Sequence, residues 1–135
     1  MNYPIEEIEG IGPVYGKKLS AAGITTTSKL LDCCASAKGR REVAGKTGLD
    51  DGQLLKWANL ADLMRISGIG KQFSELLEAA GVDTVKELRN RRPDNLAAKM
   101  KEVNTAKKLT RSTPSEKQVA RWVAQAKSLP PVISH

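Results

Sequence analysis

The sequence predicts an all-α chain built from an internal duplication, and three observations predict it. Ile8-Glu9-Gly10-Ile11-Gly12 returns 58 residues later as Ile66-Ser67-Gly68-Ile69-Gly70. Each of these turns leads into an amphipathic run that closes on the same triplet, Ala21-Ala22-Gly23 and Ala79-Ala80-Gly81. Apolar residues otherwise recur at helical spacing, and no segment alternates as a half-buried strand would. The length, 135 residues, suits one domain or two small ones packed together.

The elements follow in order. Tyr3-Pro4-Ile5-Glu6-Glu7-Ile8 is a lead-in of one helical turn. After the first glycine turn, Pro13 takes a first helical position, where a missing N–H costs nothing. Val14, Tyr15, Leu19 and Ala22 then share a face, and Gly23 stops the run. Thr26 N-caps a short helix through Leu30 and Leu31. A third helix covers 37–46 and is closed by Gly48. A fourth begins near Asp50, with Gln53 three residues on as in a capping box. Its Leu54, Trp57, Ala61 and Met64 make one apolar stripe, and it runs directly into the second turn.

In the second copy Phe73 stands for Tyr15, Leu77 for Leu19, Val82 for Ile24 and Leu88 for Leu30. Thr84-Val85-Lys86-Glu87 is a capping box, and Pro93 opens a helix through Met100 and Val103. Thr113-Pro114-Ser115-Glu116 combines a capping box with proline at the first helical position of the last helix. That helix carries Val119, Trp122, Val123 and Ala126 on one face. Trp122 follows its counterpart Trp57 by 65 residues rather than 58, so about seven extra residues fall around 104–112. Both tryptophans, with Tyr15 and Phe73, are expected in the core. Residues 1–65 then form the first repeat, 66–129 the second, and 130–135, with Pro130-Pro131, a flexible tail that frays. One helix closes the first copy and opens the second, so the copies are expected to share a core in one compact body.

Composition narrows the function. No run approaches the roughly 18 apolar residues of a membrane span, and no charged-then-apolar leader is present, which reads as a cytoplasmic protein without a membrane partner. Cys33 and Cys34 are adjacent, and the single histidine is His135, so neither a structural disulfide nor a metal site is expected, and no cofactor is assigned. The formal charge is +7 and unevenly placed. Residues 1–65 hold nine basic and eight acidic groups, residues 66–135 thirteen and seven. Such asymmetry points to a polyanionic partner met mainly by the second half, against the plainer reading of a solubilising surface. The glycine turns supply the matching chemistry. Each delivers the chain into a helix whose first N–H groups have no intrahelical acceptor, which makes a ready phosphate site.

The pattern Ile-x-Gly-Ile-Gly, a small residue (Gly16, Ser74), a leucine (Leu19, Leu77), Ala-Gly, an aliphatic and a further leucine resembles the helix-hairpin-helix superfamily. The likeness spans residues 8–31 and 66–89, and the intact tandem looks like a bacterial family named only as a domain of unknown function. It implies two helix-hairpin-helix repeats in a SAM-like small helical bundle that binds duplex DNA through its backbone without reading sequence. Carried over by position, the hairpin donors are the amides of Gly10, Gly12 and Val14, and of Gly68, Gly70, Lys71 and Gln72. Three departures stand out. Pro13 removes one donor. Val14 stands where many DNA binders carry Lys or Arg, leaving that charge to Lys17 and Lys18. Glu75 and Glu78 follow the second turn, where a phosphate backbone would be least welcome.

The densest positive stretch, Arg89, Arg91, Arg92, Lys99, Lys101, Lys107, Lys108 and Arg111, is read as a basic face for the same backbone. No aromatic is interleaved with it, which argues against single-strand stacking. Arg40-Arg41 is the comparable pair in the first half. Catalysis is not expected. Glycosylases of the superfamily put a lysine after the hairpin glycines and an aspartate well downstream. Here Gln72 takes the lysine's place, and Asp83 is read as the N-cap of a short helix. No nucleophile–base pair or carboxylate cluster for phosphodiester chemistry is present, and no small-molecule substrate is indicated. The expected function is therefore a non-catalytic, sequence-insensitive nucleic-acid module. The alternative is a protein-interaction adaptor whose hairpins are structural and whose basic face meets an acidic protein surface.

Overall fold

A computed structural model describes residues 2–135. Among them the chain is all-α, and its one strand-like feature is an isolated bridge between Pro4 and Thr26. A 3-10 turn at Ile5–Glu7 precedes eight helices. These are α1 (Pro13–Ala21), α2 (Thr27–Cys34), α3 (Ala37–Thr47), α4 (Asp51–Leu63), α5 (Lys71–Ala79), α6 (Val85–Leu88), α7 (Pro93–Lys107) and α8 (Glu116–Ser128).

Local chemistry sets most of the boundaries. The side chains of Thr26, Ser36, Asp50, Thr84 and Ser115 each accept the N–H three residues on and so begin α2, α3, α4, α6 and α8. Gly48 ends α3 in the left-handed conformation, φ 74°. Thr84, at the head of the expected capping box, caps α6, so the reading of Asp83 as that cap is corrected. One cap differs from expectation by position. α8 starts at Glu116 under Ser115, so Pro114 lies buried ahead of the helix rather than at its first position. Both Thr113 and Ser115 have an acceptor-type partner three residues on, and the chain uses the later one.

The repetition extends to side-chain geometry. Tyr15 and Trp57 meet in a tilted contact with ring centroids 5.3 Å apart and planes at 55°, and Phe73 with Trp122 repeats both values. Ile24 N–H donates to the Leu19 carbonyl, and Val82 N–H to that of Leu77, each at 2.9 Å. The second copy's extra residues lengthen α7 to 15 residues against 11 in α3, and the rest enlarge the loop before α8. The longer α7 reaches α5, with which it packs.

The buried apolar residues divide into two clusters rather than the single shared core expected. One gathers Ile5, Ile8, Leu19, Leu30, Leu54, Trp57 and their neighbours. The other gathers Leu63, Ile66, Leu77, Leu88, Met100, Trp122 and theirs. The reason is α4. Every residue from Trp57 to Leu63 is buried, so this helix is covered on all sides and stands between the clusters as a wall. Leu54, Trp57, Leu60 and Ala61 belong to one cluster, and Leu63 to the other.

The segment 130–135, expected to fray, lies back across the first copy. Ser134 N–H donates to the Ala35 carbonyl at 2.8 Å, and Ile133 packs on the first cluster. Three arginines hold carbonyls of this end of the chain: Arg89 that of Leu129, Arg65 that of Pro130 and Arg40 that of Ser134. Arg40 is only 3 % exposed and also donates to the carbonyls of Cys34 and Ala35 at the end of α2. It is therefore an internal clamp, not a surface charge paired with Arg41. Its cation at a helix C-terminus also suits the helix dipole.

Candidate nucleic-acid interface

The four turn glycines separate by what each position requires. Gly10 and Gly68 have φ of +93° and +94°, where a side chain is strained. A Cβ there would also meet the indole Nε1 of Trp57 at 3.3 Å or of Trp122 at 3.1 Å. These two glycines are demanded by the fold. Gly12 and Gly70 are not. They are the N-caps of α1 and α5 in extended conformation, φ −90° and −110°. A Cβ on either has nothing within 4 Å.

No side chain makes a capping hydrogen bond at the N-terminus of α1 or of α5. The first backbone bonds back into the helices run from Gly16 N–H to Gly12 O, 2.8 Å, and from Ser74 N–H to Gly70 O, 2.9 Å. The amides ahead of them lack intrahelical acceptors and carry the positive end of the helix dipole. In α1 these include Val14, which is 67 % exposed at the mouth of the turn, with Lys17 and Lys18 exposed one turn on. In α5 they include Lys71 and Gln72, both exposed.

The two turns are neighbours. Lys71 Nζ lies 3.6 Å from Glu9 Oε2, and Lys56 Nζ lies 3.7 Å from Glu78 Oε1, each pair joining the first copy to the second. Between them a pocket of about 180 Å³ is lined by Glu9, Lys56, Glu75, Glu78 and Lys107. Burial pushes the Glu75 carboxyl above its ordinary range, and the charges of Glu9 and Glu78 push it further against the pull of Lys56 and Lys71. The acids that the sequence places beside the second turn thus gather there, joined by Glu9 from the first.

The expected basic face does not assemble as one surface. Arg89 is half-buried with its Nη2 on the Leu129 carbonyl and its Nε buried without a partner. Arg91 bonds Glu87 and the Gly81 carbonyl. Arg92 grips Asp94 through two hydrogen bonds, and this contact first of all holds the Asp94 carboxyl below its ordinary range. Lys99 Nζ lies 3.9 Å from Glu102. Arg91, Arg92 and Lys99 line a pocket of about 420 Å³ at the start of α7. Lys107 lies on the acidic pocket at the far end, roughly 21 Å along a helix that rises about 1.5 Å per residue. Lys101 is exposed but points about 160° away from Lys99, as two residues on one helix must. Lys108 closes α7 with φ 54°, and Arg111 is exposed in the loop beyond.

Sequence reasoning passed over Arg121. The 65-residue offset between α4 and α8 makes it the counterpart of Lys56, and that offset was the signal that could have found it. Elsewhere, Cys33 and Cys34 are free thiols. Cys34 is buried, and its pKa is pushed up to about 12 by that burial, with a further contribution from Cys33. Among the described residues no helix is long and apolar enough to cross a membrane, and no cluster of His, Cys, Asp or Glu could hold a metal ion.

A family model matches residues 9–129, and it is described as Domain of unknown function (DUF4332). No curated protein and no solved structure matches the chain.

Proposed function

The chain belongs to this family of domains of unknown function, and we propose that it is a tandem helix-hairpin-helix module, SAM-like in architecture, that binds duplex nucleic acid through phosphates without reading bases. The observation that supports this reading is common to both copies. Where five other helices start under a capping side chain, α1 and α5 start at glycines that neither φ nor packing requires. A backbone left bare in this way lets a ligand approach the first-turn amides closely, and a phosphate is the ligand that such a terminus favours. Because phosphates position a protein but carry no sequence information directly, binding should be insensitive to sequence. The chain supplies no catalytic step in this reading.

A second reading has an observation of its own. Glu9, Glu75 and Glu78 crowd the space between the two turns, which opposes a polyanion there and suits an adaptor that meets protein instead. Titration of the protein against a labelled random-sequence duplex at several salt concentrations separates the two. The backbone-binding module gives micromolar binding that weakens steeply with salt, with a log–log slope of roughly −2 to −4 for a few neutralised phosphates. Absence of binding at low salt sinks it and leaves the adaptor.

A further inference from the structure

The same surface is covered in one copy and open in the other. In the first copy the flank of the glycine turn is formed by Glu9, Lys56 and Leu60, and α5 sits over it, with Lys71 pairing Glu9 and Glu78 pairing Lys56. The repeat offsets carry these three positions to Ser67, Arg121 and Gln125. There the flank is an open pocket of about 320 Å³ that also reaches Gly68, Ser115 and Gln118. The last residues of the chain run back to the first copy instead of over this flank.

The chemistry of the pocket has changed with its exposure. Leu60, which packs under α5, is replaced by Gln125, whose Oε1 accepts the Ser67 N–H at 3.1 Å and fixes the turn on α8. Glu9 is replaced by a neutral serine. Arg121 is exposed and, among the described residues, no carboxylate pairs with it, whereas its counterpart Lys56 pairs with Glu78. A face meant to receive a helix would keep an apolar centre. This one offers hydroxyl, amide and guanidinium donors beside the turn, the groups that contact phosphate and sugar.

We infer that the pocket flanking the second glycine turn at Ser67 and Gly68 is a phosphate subsite, with Arg121 as its charged residue, and that it makes the second copy the principal contact with nucleic acid. The inference rests on the proposal that the second turn holds a phosphate. It also answers the difficulty that the acids pose, because the pocket lies on the flank of the turn that lacks Glu9, Glu75 and Glu78.

The test is the salt dependence of random-duplex binding by Arg121→Ala, with Arg121→Lys and Lys56→Ala alongside and thermal unfolding as the fold control. Arg121 lies on the surface and, among the described residues, outside any ion pair, so the alanine variant should melt as the parent does. Its affinity should fall about five- to tenfold at low salt and its log–log slope should shrink by roughly 0.9, the loss of one neutralised phosphate. Arg121→Lys should keep the slope, and Lys56→Ala should leave it in place. A parent that binds while Arg121→Ala has an unchanged slope overturns the subsite and spares the turn reading. A parent that does not bind at low salt overturns both. If Arg121→Ala weakens binding to polyglutamate but not to duplex, the pocket serves an acidic protein and the phosphate assignment fails.

Discussion

Replacing Gly12 and Gly70 together by aspartate should stabilise the fold and abolish nucleic-acid binding. Both residues are N-caps in extended backbone with open space where the Cβ would go. Aspartate caps a helix a few tenths of a kcal/mol better than glycine. A carboxylate over the first turn adds about 0.3–1 kcal/mol through the dipole. The pair should therefore gain roughly 1–2 kcal/mol, a rise in Tm of about 3–8 °C for a chain of this size. The same carboxylates would occupy the place of the phosphates and repel what remains of them. Two like charges about 4 Å apart near a protein surface cost between about 1 and 4 kcal/mol, depending on the effective dielectric. Each site should then lose at least about fivefold in affinity, by the 1.4 kcal/mol per decade of a binding constant. Differential scanning calorimetry and duplex titration on the same preparations measure both effects. Variants that melt higher yet bind as before would refute the assignment of the phosphate to these amides. Variants that melt well below the parent would refute the claim that neither glycine serves the fold.

Three further outcomes are expected. Within α3, Gly39→Ala should cost about 2–3 kcal/mol in urea unfolding, because its Cβ would run into the Cys33 carbonyl oxygen, whereas Gly45→Ala, with nothing near, should gain about 0.5–1 kcal/mol. Lys108→Gly should gain about 1 kcal/mol by relieving a side chain held at φ 54°, and an unchanged midpoint would contradict that strain. Glu75→Gln should be more stable than the parent at neutral pH. The folded Glu75 holds its proton to higher pH than the unfolded ordinary value of 4.5, so its contribution is favourable in acid and is lost as pH rises through the raised value. The advantage of the glutamine variant should therefore shrink on acidification, and an advantage equal at pH 7 and pH 4 would refute the carboxylate crowding.

What could be read from the sequence was what depends on neighbours a few residues apart. The two glycine turns, the stops at Gly23 and Gly81 and the caps at Thr26, Asp50 and Thr84 each need one residue and a partner within one turn of helix. The cap of α8 shows where this reading loses resolution, since Thr113 and Ser115 satisfy the same rule two residues apart. The division of the core was not legible, because the stripe of Leu54, Trp57, Ala61 and Met64 describes one side of α4, while Leu63 on another side belongs to the second cluster. Nor was the docking of the chain's end, since Arg40, Arg65 and Arg89 reach backbone carbonyls, which leave no mark in a sequence. Counting charge likewise could not separate Lys101 from Lys99, or an arginine spent on a carbonyl from one offered to solvent. At the candidate site, the amides were found by pattern. Arg121 was visible only by carrying the repeat offset through to the last helix.

The arginine clamps have a consequence for cooperativity. Two apolar clusters separated by a helix could melt as two units, each with its own transition. Arg89, Arg65 and Arg40 close loops of 40, 65 and 94 residues onto the same short stretch of chain. Loop entropy grows only with the logarithm of length, so the longest closure costs less than about 1 kcal/mol more than the shortest. Arg89 holds this stretch to its own cluster, and Arg65 and Arg40 tie it into the first copy. Opening either cluster exposes guanidinium bonds that the other also needs, so heat should meet one molecule with a single transition rather than two domains in series.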